Sequence, residues 1–401
     1  MKKIVRTSLV ASFALAAMST SLMGAQSIDE AFANGKVKGA IKSYYFAQSF
    51  DGAGKNDSSV WANGGFLNFI TDDYKGLTFG TTVQTSQVAS IDDKDGKTTG
   101  SMNADGTVLS EAYLQYTYDN TTLKTGRQYV KTPLLAGSGS RLIKESFEAH
   151  LLVNSDIPNT TVVAGVVTKY QTRTDKTTYG DNSWVDFASD GNGGPGKFND
   201  INKFGGGVQT LYVANNSIKN LKAQFQYAII PNVADAIYAD AKYNFGTAYV
   251  AGQYYGTDYD PTISTKDSSM VGAKIGTKVA GVDLFAGYTS TADDNAVARG
   301  IGQGAYAHYT ATTKTAGASA FSAGTDSFQI GAGYTFDKLK TKVRYSTFDK
   351  PTTGADLDET TINLTYSLTK QLQAQVDYSI LDYETNSSDA TDLRSRLIYK
   401  F

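Results

Sequence analysis

The links in this chain sort by length, and they sort by parity. Eighteen segments alternate apolar and polar residues with period two, the pattern of strands with one apolar and one wet face. Every second link is a tight polar turn, as at Asp72-Asp73-Tyr74, Asp119-Asn120, Phe245-Gly246, Ala280-Gly281, Asp337-Lys338 and Thr369-Lys370. The links between them are mostly long, as at 89–107, 130–142, 172–206 and 291–325, with 230–233 the exception. A soluble sandwich has no reason to sort its loops in this way. A membrane barrel does, with short turns at one rim and long loops at the other.

The alternation is cleanest late in the chain. Leu372, Ala374, Val376, Tyr378 and Ile380 oppose Gln371, Gln373, Gln375, Asp377 and Ser379. Apolar faces of this size need a second layer, and after residue 35 no helical pattern exists to supply one. Lipid supplies it if the apolar face turns outward and the polar face lines a water-filled lumen. Tyr116, Tyr118, Tyr227, Tyr243, Phe245, Phe336, Tyr399 and Phe401 recur near strand ends, where aromatic girdles meet the membrane interfaces. The fold class expected is all-β: a transmembrane antiparallel β-barrel of about 18 strands.

Residues 1–25 read as a secretory signal peptide. Lys2, Lys3 and Arg6 precede a short apolar run over 9–18, followed by small residues, with cleavage expected after Ala25. The run is too short to span a bilayer as a helix. Residues 26–401 then form the barrel, and Ser27 to Asn34 fit one or two helical turns before the first strand. The net charge of −2 gives no basic field for nucleic acid, and the absence of cysteine removes disulfides and thiolate metal sites.

The last strand carries Leu393, Ser395, Leu397, Tyr399 and Phe401 on one face, and Asp392, Arg394, Arg396 and Lys400 on the other. It resembles the closing strand of bacterial outer-membrane barrels, in which a terminal Phe, here Phe401, is read by the barrel-assembly machinery. Two further stretches carry a closer resemblance: Ile41-Lys42-Ser43-Tyr44-Tyr45-Phe46 with Phe50, and Ser138-Gly139-Ser140-Arg141-Leu142 with Ser146-Phe147. In these the mature chain resembles the OprD-like outer-membrane porins, including those of epsilonproteobacteria. The resemblance implies an outer-membrane location among lipid and lipopolysaccharide, and an eighteen-stranded barrel with a third loop folded in to constrict the pore. It also implies passage of small solutes, often carboxylates or amino acids, along a basic column. Lys42 falls where the family has an Arg of that column, keeping the charge but losing the bidentate fork, and Arg141 falls in the Ser-Arg-Leu motif.

Barrel closure supports a basic column independently, because it sets the first strand beside the last. Lys36 and Lys38 then lie near Lys400, and Lys42 near Arg394 and Arg396. Lys340, Lys342 and Arg344 form a second basic row, and Glu111, Glu148 and Asp377 are acidic lumen residues. Residues 131–142, with Pro133, Leu134, Gly137 and Gly139, form the expected constriction loop. Catalysis is not expected. The Ser146, Glu148, His150 row steps by about 7 Å, too far for a relay. No cofactor is implied, and no metal site is expected, since 92–96 and 103–106 match calcium loops only faintly. The function expected is passive diffusion of small hydrophilic solutes through the outer membrane. An exported β-rich adhesin is the alternative, but it would show internal repeats and no terminal-Phe strand. Monomer and homotrimer both remain open.

Overall fold

The computed structural model describes residues 24–52, 56–93, 105–173, 196–350, 354–384 and 389–401. The signal segment lies outside these residues apart from Gly24 and Ala25, as do residues 94–96 and 103–104 of the two faint calcium loops. The described chain holds one short helix, α1 (Ile28–Ala33), one 3-10 turn (Ala318–Phe321) and nineteen strands. Ser27 caps α1 by accepting a hydrogen bond from the Glu30 amide at 3.1 Å. Phe32 of α1 stacks on Phe69 and Phe79 at the rim that carries the short turns.

The strands are β1 (Lys36–Phe50), β2 (Ser58–Ile70), β3 (Leu77–Asp93), β4 (Gly106–Tyr118), β5 (Thr121–Gln128), β6 (Ser146–Asn154) and β7 (Thr160–Gln171). A two-residue strand, β8 (Asn199–Asp200), lies against β7. There follow β9 (Val208–Asn215), β10 (Leu221–Ile230), β11 (Ala234–Asn244), β12 (Ala248–Tyr259), β13 (Ser268–Val279) and β14 (Val282–Thr291). The last are β15 (Asp326–Phe336), β16 (Leu339–Asp349), β17 (Leu357–Ser367), β18 (Leu372–Tyr383) and β19 (Ala390–Lys400). Setting β8 aside, eighteen strands pair antiparallel in chain order, β7 pairs with β9, and β19 returns to β1. The cylinder is therefore closed, and no strand edge is left open.

The closing seam runs from Ala40 opposite Lys400 to Phe50 opposite Ala390. It is extended by one residue at the short-turn rim, where Phe401 and Gly39 exchange backbone hydrogen bonds of 2.9 and 3.1 Å. The Phe401 ring lies directly over Gly39. A Cβ there would stand 2.6 Å from the ring, so only glycine fits beneath it.

The outer wall is apolar as the alternation requires. Ile41, Leu67, Val271, Ile275, Ile330 and Leu397 are all exposed on it. Tyr118, Phe245, Phe336 and Phe401 mark its short-turn rim. At the long-loop rim, Tyr288 donates to Asp326 at 2.8 Å and Tyr345 donates to Asp358 at 2.6 Å. These are two aromatic girdles at the ends of the apolar wall, and the tyrosine hydroxyls of the upper one reach the carboxylates of the rim.

One strand departs from the expected facing. On β6, Phe147, Ala149 and Leu151 point inward into a buried apolar cluster, while His150 is exposed on the outer wall beside Thr125. Glu148 shares the outward side of His150, opposite Arg127 of β5 and Lys169 of β7. Glu148 is therefore not a lumen acid. The physical reason is that loops fill this side of the barrel, so its interior is apolar and draws the apolar face of β6 inward.

Candidate functional site: the lumen loops and the walls they touch

Two loops leave the long-loop rim and enter the barrel. The third, residues 129–145, joins β5 to β6. It turns back on itself at Lys131 and Ala136, with the Thr132 amide donating to the Leu135 carbonyl at 2.7 Å. Its tip reaches β10, where the Leu134 amide donates to the Gln226 side chain at 2.8 Å and Gln226 donates back to Thr132 at 2.9 Å. Its return limb reaches β1, where Lys42 Nζ donates to the Leu142 carbonyl at 3.1 Å. It also reaches β3, where Gln84 and Lys144 exchange two bonds of 2.9 Å. Pro133 and Leu134 are buried, whereas Gly139 is exposed.

The seventh loop, residues 292–325, meets the third. Leu135 and Ile301 form a parallel bridge, with the Ile301 amide donating to Leu134 at 2.8 Å and the Ala136 amide donating to Ile301 at 3.1 Å. Gly302 makes the approach possible, since a Cβ there would lie 2.2 Å from the Ala136 carbonyl oxygen. Leu134, Leu135, Ile301 and Phe321 are all buried in the cluster around this bridge. Each such side chain contributes about 1.5–3 kcal/mol, which favours docked loops over solvated ones.

Two carboxylates with no solvent exposure tie these loops down. Glu145 accepts from the Ser138 amide (2.7 Å), the Gln303 amide (2.9 Å) and the Tyr170 hydroxyl (2.7 Å), and Arg173 lies 3.6 Å away. It joins the third loop to the seventh and to β7. Glu359 of β17 accepts from the amides of Lys314 (2.7 Å) and Thr315 (3.1 Å) and from the hydroxyls of Thr312 (2.6 Å) and Thr315 (2.7 Å). Buried carboxylates persist only when so many donors replace water.

The cations expected from sequence fall into two groups. Arg141 of the third loop lies over the Phe46 ring at 5.2 Å, and Arg396 of β19 lies over the same ring at 5.7 Å. Arg396 is ion-paired with Asp377. Arg394 is paired with Asp392 at 2.6 Å and donates to the Thr313 carbonyl of the seventh loop at 3.2 Å. Arg344 donates to the Ala311 carbonyl at 2.7 Å and to Asn363 at 3.1 Å. Arg394 and Arg344 thus seat the seventh loop. Lys342 lies 5.1 Å from the Phe285 ring, and Lys340 is exposed lower on the same strand. Lys42 stands opposite Ile398, one inward position from Arg396, so Lys42, Arg394 and Arg396 face inward on adjoining strands.

Several residues here are absent from the sequence expectation. Lys314 of the seventh loop pairs with Asp392 at 3.1 Å, and burial pulls its ammonium down to about 8 while Asp392 opposes the shift. Glu145, Glu359 and Asp392 were not singled out either. The available signal was the seventh loop itself. Apart from Asp293 and Asp294 it has no acid, and it is rich in Ala, Gly and Thr with Val297, Ile301 and Phe321, a poor composition for a loop left in water. His308 of this loop is buried against Phe321, with ring centres 4.7 Å apart, and burial depresses it to about 3.

A closed antiparallel cylinder with an apolar outer wall, two aromatic girdles and loops folded into a charged lumen defines an outer-membrane porin. Solved structures share the fold. Acinetobacter baumannii OccAB4 superposes with a TM-score of 0.75 at 17% identity, covering 92% of this chain and 98% of its own. Pseudomonas aeruginosa OccK9 (OpdG) gives 0.73 at 18%, covering 92% and 99%, and Pseudomonas aeruginosa OccK3 (OpdO) gives 0.73 at 16%, covering 94% and 98%. The chain belongs to the Campylobacter major outer membrane protein family, whose model matches residues 1–401. No curated protein sequence matches it.

Proposed function

We propose that this porin passes small hydrophilic solutes by passive diffusion, with the third and seventh loops setting its bore. The observation that carries this is the hydrogen-bonded junction of the two loops inside the barrel, together with Arg141 and Arg396 on their shared Phe46 ring at the β1 side. Cations on a pore wall attract anions without stopping them. Lys42, Arg141 and the arginines of β19 bias passage toward anionic solutes, carboxylates and amino acids among them. Asp377 and Asp392 offset part of that charge. Residues 1–25 serve as a cleaved export signal, and Phe401 as the signal read at insertion. Arg127, Glu148 and Lys169 form an outward charged row at the long-loop rim, and a homotrimer in which copies meet on this face would use it. The test is to refold residues 26–401 and record single channels in a planar bilayer across a salt gradient. Discrete steps with a reversal potential on the anion side support the reading. A folded barrel without steps refutes it.

A further inference from the structure

Between β1, β5 and the return limb of the third loop lies a chamber of about 510 Å³, lined by Lys38, Lys42, Lys124, Lys131 and Lys144. Among the described residues its lining holds one carboxylate, Glu111. That carboxylate is already engaged, accepting from Thr82 at 2.6 Å and standing 4.0 Å from Lys124. The contrast with the arginines of β19 is direct: Arg394 and Arg396 each have an acid, while five ammonium groups here share one. Two of the five also rest on aromatic faces, Lys124 at 3.6 Å from the Tyr113 ring beside its long contact with Glu111, and Lys144 at 3.7 Å from the Tyr129 ring. A ring face holds an ammonium without neutralising it. The Lys124 side chain is only 13% exposed, and a cation so withdrawn from water calls for a counter-charge.

We propose that this chamber is a binding site for a compact tetrahedral dianion, phosphate or a phosphomonoester, on its way through the pore. The inference rests on the porin reading above. Ammonium groups are point charges that converge on the cavity from two strands and a loop, so they suit an anion that accepts in several directions. The planar fork of arginine, which matches a carboxylate, is absent from the lining.

The experiment uses inorganic phosphate as the probe, added to the mature porin in a bilayer bathed in potassium chloride, at a pH where phosphate is mostly dianionic. The expected result is a saturable fall in chloride current. The half-blocking concentration should rise about a hundredfold in the Lys124→Gln, Lys144→Gln double variant, the effect of losing two charge-assisted contacts at about tenfold each. Lys38→Gln with Lys131→Gln removes two exposed cations that anchor no loop, and it should weaken the block likewise even if the first pair misfolds. Lys266→Gln, outside the lumen in the sixth long loop, should leave the block unchanged. Discrete chloride steps that phosphate does not reduce would overturn the site while leaving the porin reading intact. A wild-type chain that gives no steps removes the porin reading and this inference with it. Succinate blocking as strongly as phosphate would overturn the tetrahedral assignment.

Discussion

Replacing Glu359 by Gln should unseat the seventh loop although the two side chains have the same shape. Each carboxylate oxygen accepts one backbone amide of that loop: Oε1 takes Lys314 at 2.7 Å and Oε2 takes Thr315 at 3.1 Å. The hydroxyls of Thr312, Thr315, Thr361 and Ser379 complete the shell. Hydroxyls can rotate and offer a lone pair instead, but backbone N–H groups cannot. A glutamine places its NH2 against one of those amides whichever way it is flipped. At least one buried donor is then unsatisfied, at about 1–3 kcal/mol, and the lost charge assistance adds about 1 kcal/mol. A total of about 2–4 kcal/mol raises the undocked population of the loop by about 30- to 1,000-fold. In single-channel records the variant should show frequent transitions to a larger conductance, while the barrel still migrates as a folded species in unheated gels. Conductance and open-channel noise identical to wild type would refute the argument that this carboxylate holds the loop.

Asp377→Asn keeps the acceptor for Asn363 but frees Arg396. One unit charge at about 6 Å in a watery lumen is worth about 0.7 kcal/mol, so anion preference from the reversal potential should rise about threefold. Lys42→Glu reverses a charge, and on the same arithmetic it should shift preference about tenfold toward cations; an unchanged reversal potential would remove Lys42 from the column. Lys314 is held at about 8, below its ordinary 10.5, so the docked loop binds this proton less tightly than the free loop does. Docking should therefore gain stability as pH rises through about 8 toward 10.5 and bear the full penalty below about 8. Anion preference should fall over the same rise as one positive charge leaves the lumen, and Lys314→Arg should abolish that component of a pH series. Deleting Phe401 removes two backbone hydrogen bonds to Gly39, about 0.5–1.5 kcal/mol each. It should lower both the heat needed to unfold the barrel in detergent and the amount reaching the outer membrane, and equal values in both assays would deny the residue its role.

The cylinder was legible because its physics is periodic. Strands such as Leu372–Tyr383 repeat apolar and polar positions without interruption, and the parity of link lengths places their ends at two rims. Lys42, Arg394 and Arg396 were legible together because closure of an ordered cylinder fixes which strands adjoin, whereas Arg141, on a loop, was reached only through the Ser-Arg-Leu resemblance. The facing of β6 was not, because Phe147, Ala149 and Leu151 make an apolar row that suits lipid or a loop-filled interior equally well. The choice depends on the third and seventh loops, whose contacts are aperiodic. Nothing in the local sequence of Glu359 distinguishes a lumen acid in water from one that accepts the backbone of a segment 44 residues away. Partner acids were missed for the same reason: Asp392 lies two residues before Arg394, but its second partner, Lys314, comes from another part of the chain.

Anchors of the seventh loop stand on β16, β17 and β19, and the third loop's return limb is held from β1 and β3. The loops are therefore held in part by the first and last strands of the polypeptide. An eighteen-stranded ring with nothing inside it would be a wide aqueous hole. In this protein the strand that completes the ring also brings Asp392 and Arg394, which receive the loop. Closing the cylinder thus also puts in place two of the groups that hold the loop across it.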